Sequence, residues 1–286
     1  MYESFYHLSG KPFSLLPDAD FLYLSQRHWR VVNLLDYGIV TQAGFIVITG
    51  EVGAGKTTII RRYLKSAGRD VSVGVITNPS PSLGNLLRWV TNAFDINTKG
   101  TDDNAALYTY FTDYLVAQYA DGKRTILIID EAQNLTPAML EELRMLSNVN
   151  NEKDQLLQII LVGQPELLAM LKRSDLRQFV QRIAVHCHLE ALTAADTVAY
   201  IRHRLSVVGG APELFDDQAC ASIHHYTGGV PRLINLLCDQ ALVYGFSDDR
   251  ATIDAALVTE VVADRARSGL SPFQEPSTTN PTMRVV

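Results

Sequence analysis

The stretch from Gly44 to Lys65 constrains this chain more than any other. Gly44-Phe45-Ile46-Val47-Ile48-Thr49-Gly50 is an apolar run of strand length, and a helical stretch runs from about Lys56 to Lys65. Between them, Gly50 through Thr57 matches the pattern GxxxxGK[ST] in the strand, loop, helix context that the pattern requires. Glycines let such a loop wrap, so that its amides and the helix N-terminus point at phosphate oxygens. The expected phosphate site comprises Gly50, Glu51, Val52, Gly53, Ala54, Gly55, Lys56, Thr57 and Thr58. Lys56 would neutralise the β- and γ-phosphates and the Thr57 hydroxyl would ligate Mg2+, which makes ATP and Mg2+ the expected ligands.

Further apolar runs at Val71–Thr77, Thr125–Asp130, Leu156–Gly163 and Ala184–Leu189 are separated by stretches long enough for crossover helices, among them residues 82–94, 105–119 and 137–147. Strands alternating with helices predict an α/β fold with a parallel sheet covered on both faces. After Leu189 only helical periodicity remains, with helices expected over 194–208, 216–226, 231–245 and 253–266. Asp216 and Pro231 suit first-turn positions, and Gly209-Gly210 and Gly228-Gly229 are natural breaks. From Ser268 onward Pro, Ser, Thr and Asn dominate, and disorder is expected.

Composition narrows the setting. With 47% hydrophobic and 20% charged residues in 286, the chain is globular rather than disordered or fibrous. Apolar runs stay at strand length, well short of the roughly 18 to 20 residues of a membrane span, and the N-terminus has no secretory pattern. A cytoplasmic protein is expected. Its 25 basic and 31 acidic residues leave a net charge of −6, which argues against strong sequence-independent affinity for nucleic acid or anionic lipid. Cys187, Cys220 and Cys238 are widely spaced and fit reduced buried thiols. His186-Cys187-His188 suggests a metal, but on a strand Cys187 points away from both histidines.

The remaining candidates lie where strands or helices begin and end. Thr125 to Glu131, TILIIDE, is an apolar strand closing on two acids, a Walker B pattern. Asp130 can hold Mg2+ there, and Glu131 can polarise the attacking water. The second acid favours hydrolysis over transfer to a substrate that brings its own nucleophile. Gln164 ends the next apolar run, beside those acids, where it can sense the γ-phosphate or place water. Arg177 and Arg182, near Lys172 and Arg173, precede the last strand; from a subunit face, one of them could reach a neighbour's γ-phosphate. Arg232, in the first turn of a helix after Gly228-Gly229-Val230-Pro231, can contact phosphate if the helical part folds over the nucleotide.

In this order the motifs resemble an AAA+ ATPase over roughly residues 45–267. Within that class the chain is similar to the general secretion pathway protein A family and the ATPases encoded with exosortase and exopolysaccharide systems. The resemblance is carried by Phe5-Tyr6 through Lys11-Pro12-Phe13 with Pro17-Asp18 and Phe21-Leu22-Tyr23, by Asp130-Glu131-Ala132-Gln133-Asn134-Leu135, and by Leu161-Val162-Gly163-Gln164-Pro165-Glu166-Leu167. It implies a P-loop NTPase core of three αβα layers with strand order 5-1-4-3-2 and a small C-terminal all-helical lid. The implied division is an N-terminal strip at 1–44, packing near the nucleotide, a core at 45–190, a lid at 191–267 and a disordered tail at 268–286. By the same analogy Gln164 is sensor 1, Arg182 the arginine finger and Arg232 sensor 2. Tyr23 to His28 would help line the adenine pocket, and Asn78 would restrain Glu131.

The resemblance also implies a homo-oligomeric ring, with a hexamer as one stoichiometry and an arginine acting in trans. The leading expectation is an ATP-hydrolysing motor or switch acting on a protein partner in envelope export or polysaccharide secretion, held at the inner membrane only through that partner. Secretion relatives commonly continue into a membrane helix and a peptidoglycan-binding domain, whereas this chain stops soon after the lid; a soluble exopolysaccharide-type ATPase or a truncated chain fits better. The alternative is a DNA-associated AAA+ regulator of the transposition type, whose Walker B segments are similar. The lid's ten acids against six arginines and no lysine over 191–267 disfavour DNA binding there. A third reading is an interaction module that binds ATP and hardly turns over; Glu131 weighs against it.

Overall fold

The computed structural model describes residues 1–16, 18, 20–66, 68, 70–80, 84–150 and 154–274. The apolar runs form one sheet of five strands, β1 (Phe45–Gly50), β2 (Val71–Ile76), β3 (Arg124–Ile129), β4 (Leu157–Gly163) and β5 (Ile183–Leu189). Every pairing is parallel, and the spatial order is β2-β3-β4-β1-β5, the expected 5-1-4-3-2 read from the other edge. Central strands β1 and β4 are buried at every residue, whereas the edge strand β5 alternates buried and exposed positions. A parallel strand covered on both faces is nearly continuously apolar, which fits FIVITG and LQIILVG, whose polar Thr49 and Gln158 are hydrogen-bonded inside.

In chain order the helices are α1 (Tyr2–Phe5), α2 (Gln26–Val40), α3 (Lys56–Ser66), α4 (Leu86–Ala93), α5 (Asn104–Ala120), α6 (Pro137–Leu146), α7 (Pro165–Leu171), α8 (Arg177–Val180), α9 (Ala194–Val207), α10 (Asp217–Thr227), α11 (Pro231–Ser247) and α12 (Ala255–Arg267). Their starts follow capping chemistry. Asp103, Thr136, Asp216 and Asp254 each accept a backbone N–H three residues on, and Thr193 and Asp196 form a reciprocal capping box.

The chain divides into two compact units, residues 26–190 and residues 1–25 with 191 onward. In the sheet unit Phe45, Val47, Leu127, Ile129, Ile159 and Leu161 pack with Phe111, Leu115, Leu140 and Phe179 into one core. In the helical unit α9 to α12 enclose a second core that includes Ile201, Phe215, Ile223, Leu237 and Val258.

The expected strip at 1–44 is split by the structure after Ser25. Tyr2, Tyr6, Leu8 and Phe13 bury in the helical core, while Val31, Val32, Leu35 and Ile39 of α2 are buried within the sheet unit, where α2 packs on β1 and β5. Nor do residues 268–274 match the disorder expected from Ser268. Phe273 is buried in the helical core, and the Gln274 N–H donates to the Tyr226 carbonyl at 2.9 Å. The rest of that tail, 275–286, lies outside the described residues, as does Pro17 of the N-terminal motif.

Arg204 ties the N-terminal segment to the helices. Its guanidinium donates to the carbonyls of Pro12 and Ser14 and, at 3.0 Å, to the Tyr200 hydroxyl, and it lies 4.6 Å from the Phe21 ring centroid. Arg204→Ala strands those acceptors in a buried setting and is expected to cost about 3 kcal/mol. Urea denaturation should show a lower midpoint, and limited proteolysis should cut earlier within residues 1–25.

Candidate functional site

The carboxyl ends of β1, β3 and β4 carry the site, at the edge where open parallel sheets bind ligands. The loop after β1 turns through Gly53 at φ 79° and Gly55 at φ 102°, left-handed conformations that L side chains rarely adopt. Lys56, the first residue of α3, is only 7% exposed. Its Nζ donates to the carbonyls of Gly50 at 2.7 Å and Glu51 at 2.9 Å. Burial pushes the Lys56 pKa down, against the opposing pull of Glu131, Asp130, Glu51 and Glu166. A desolvated ammonium with neutral oxygen partners has unspent affinity for anionic oxygen, which fits a phosphate-bearing ligand. His28 of α2 is buried, and its Nε2 lies 3.4 Å from the Ala54 carbonyl, against the loop.

Thr57 and Asp130 meet, the Thr57 hydroxyl donating to Asp130 Oδ2 at 2.9 Å. The Asp130 N–H donates to the Ile76 carbonyl at 2.8 Å, and Asp130 Oδ1 accepts the Glu131 N–H at 3.0 Å. Glu131 itself sits at φ 55°, an uncommon conformation for a residue other than glycine. Gln164, the N-cap of α7, donates through Nε2 to Glu131 Oε2 at 2.9 Å.

Two features depart from the expectations. Asn78 does not restrain Glu131: its Oδ1 accepts from Asn134 Nδ2 at 3.1 Å. The chain leaves β2 beside β3, so Asn78 meets the turn that follows Glu131 instead of the acid. Glu131 is held by Gln133, which donates through Nε2 to Glu131 Oε2 at 2.6 Å. Sequence reasoning passed over Gln133, which it read only within the stretch from Asp130 to Leu135.

The arginines are placed differently from one another. Arg173 is neutralised locally by Asp175, at 3.0 and 2.9 Å. Arg177 opens α8 and Arg182 follows it; both side chains are exposed and make no ion pair or hydrogen bond among the described residues. Arg232 is exposed in the first turn of α11, after Pro231, in the helical unit. Thr49 Oγ1 of β1 lies 3.3 Å from His186 Nε2 and 3.0 Å from His188 Nδ1 of β5, while the buried Cys187 thiol is directed at the Val47 carbonyl. Burial pushes that thiol up to about 12, which suits an inert core cysteine.

A lysine-bearing phosphate loop after β1 and paired acids after β3, on a parallel sheet of this order, define a P-loop nucleotide-binding protein. The family described as AAA domain matches residues 40–171. The chain is also 41% identical over 247 residues to general secretion pathway protein A of Aeromonas hydrophila. That match covers 86% of this chain and 45% of the relative, so the chain spans less than half of that protein's length. Over residues 40–171 the chain thus matches an AAA domain, and over most of its length it resembles the general secretion pathway protein A family. Solved structures share the fold at low identity. The ORC2 protein of Aeropyrum pernix in its ADPNP-ADP complexes aligns with TM-score 0.62 and 16% identity over 89% of this chain and 71% of that one. Cdc6p of Pyrobaculum aerophilum gives 0.63 and 16% over 87% and 71%. The RuvB Holliday junction branch migration motor of Thermotoga maritima gives 0.52 and 18% over 86% and 73%. Among the described residues no helix is long and apolar enough to cross a membrane.

Proposed function

We propose that this chain hydrolyses ATP with Mg2+ and works as an oligomeric switch or motor on a protein partner in envelope export or polysaccharide secretion. The observation that carries the hydrolytic part is the convergence of Lys56, Thr57, Asp130, Glu131 and Gln164 at the ends of three adjacent strands. Thr57 and Asp130 would hold Mg2+. Their oxygens meet at 2.9 Å and are the hard oxygen donors that Mg2+ takes. The ion would supply charge neutralisation on the β- and γ-phosphate oxygens.

Lys56 binds the same phosphates from the loop. Glu131 accepts a proton from the water that attacks the γ-phosphorus, and the bond to the ADP oxygen breaks opposite it. Gln164 orients Glu131 and faces the γ-phosphate. Arg182, exposed and without an ion pair among the described residues, serves as the finger toward a neighbouring subunit, with Arg177 the next candidate. Arg232 couples the helical unit to the bound phosphate. The partner's identity rests on the similarity to general secretion pathway protein A, as does association with the inner membrane through it.

The test is ATP hydrolysis measured against protein concentration, with and without duplex DNA and a protein-free blank, and light scattering with ATP on the Glu131→Gln variant. A rate per subunit that rises cooperatively and ignores DNA supports the proposal. Strong DNA stimulation would favour a nucleic-acid switch, and a rate at the blank level with ATP bound would leave a nucleotide-held module. Arg182→Ala is expected to bind ATP normally and to lose the concentration-dependent part of the rate, tenfold or more at assembling concentrations. Normal hydrolysis would pass the finger assignment to Arg177.

A further inference from the structure

We infer that Gln133 is a positioning residue for hydrolysis, its side-chain amide joining the carboxylate of Glu131 to the backbone of Gln164. This rests on the reading of Glu131 as the group that activates water. Both ends of the amide are in use. Nε2 donates to Glu131 Oε2 at 2.6 Å, and Oε1 accepts the Gln164 N–H at 3.0 Å. A reversed amide would set oxygen against carboxylate and NH2 against N–H, so the two partners permit one orientation only.

The Gln164 side chain closes the ring by donating to the same Glu131 Oε2 at 2.9 Å. Oε2 thus carries two amide donors, and Oε1 is the oxygen left to face water. The fold makes room for this link. A Cβ on Gly163 would lie 3.1 Å from Gln133 Oε1 and 2.8 Å from Leu167 Cδ2, so glycine at the end of β4 lets the amide pass. Ala132, fully buried, sets the turn that presents Gln133. The left-handed backbone of Glu131 belongs to the same corner, where such a conformation persists only if its surroundings hold it.

The acid after β3 and the residue after β4 therefore form one hydrogen-bonded unit, although 33 residues separate Glu131 from Gln164. Without Gln133 the carboxylate loses its shortest tether, and its aim at the water broadens. A misplacement on the order of 1 Å is worth up to about a hundredfold in rate.

The experiment measures steady-state phosphate release and binding of a fluorescent ATP analogue for Gln133→Leu, Gln133→Glu, Glu131→Gln and the Gln133→Leu/Glu131→Gln double variant. Gln133→Leu is expected to lower kcat about ten- to a hundredfold while analogue affinity stays within about threefold, since Lys56 and Thr57 are untouched. Gln133→Glu keeps the size but cannot donate, and it is read in place of Gln133→Leu if the latter fails to bind nucleotide. In the double variant the Gln133 substitution should add nothing to the loss caused by Glu131→Gln. Wild-type kcat in both Gln133 variants, or a further loss in the double variant, overturns the positioning role. Normal hydrolysis by Glu131→Gln would instead overturn the reading of Glu131 on which the inference rests.

Discussion

Glu131→Gln is expected to bind ATP within about threefold of the unaltered protein and to hydrolyse it about a thousandfold more slowly, inside the roughly 10²- to 10⁴-fold range of positioned general bases. The substitution is nearly isosteric, and the tethers define what it changes. Oε2 accepts from Gln133 at 2.6 Å and Gln164 at 2.9 Å; a glutamine can still accept both through its oxygen, so the corner keeps its shape. What disappears is the second carboxylate oxygen, replaced by an NH2 that cannot take a proton from water. Lys56, Thr57 and Asp130 are unaltered, which keeps affinity. Single-turnover hydrolysis beside equilibrium binding separates the two; loss of affinity in parallel with rate would mean that Glu131 supports the loop and does not act on water.

Lys56→Ala should act on binding first, weakening ATP about 30-fold or more, roughly 2 kcal/mol, since charge-assisted hydrogen bonds are worth about 1.5 to 3 kcal/mol. Lys56 is 7% exposed and its ammonium donates to the Gly50 and Glu51 carbonyls at 2.7 and 2.9 Å. Burial already disfavours its charged form, so anionic phosphate oxygens gain more there than at a solvated lysine. Removing it also leaves Asp130 and Glu131 facing the phosphates with less opposing charge. Titration with a fluorescent ATP analogue should show the loss, whereas ADP, which lacks the γ-phosphate, should lose less. Equal weakening of the two would place Lys56 on the β-phosphate alone.

Much of the site was legible because its chemistry is local. Gly50 to Thr58 is one uninterrupted segment that brings its own backbone amides, lysine and hydroxyl, and the acids Asp130 and Glu131 are neighbours at the end of an apolar strand. The strand positions followed from apolar runs, and two of the helix starts from Asp216 and Pro231. Less legible were features that depend on residues far apart in the chain. Helix α2 was not anticipated, although Val31, Val32, Leu35 and Ile39 carry its periodicity. Asn78 looked able to reach Glu131, but its partner was decided by which turn β2 ends beside. Gln133 had no signal beyond its place in the stretch from Asp130 to Leu135, because its meaning comes from a backbone N–H 31 residues further on.

By itself, then, the order of residues determined the phosphate loop, the paired acids, the parallel α/β class and the change to helices after Leu189, since each rests on periodicity or on chemistry within a few residues. Only the tertiary structure decided that residues 1–25 bury their aromatics in the helical unit while α2 packs on the strands, and that Glu131, Gln133 and Gln164 close a single ring of hydrogen bonds. The physical reason is the directionality of burial and hydrogen bonding. An apolar side chain or an amide can be satisfied by many partners, and only the packed chain selects which one it meets.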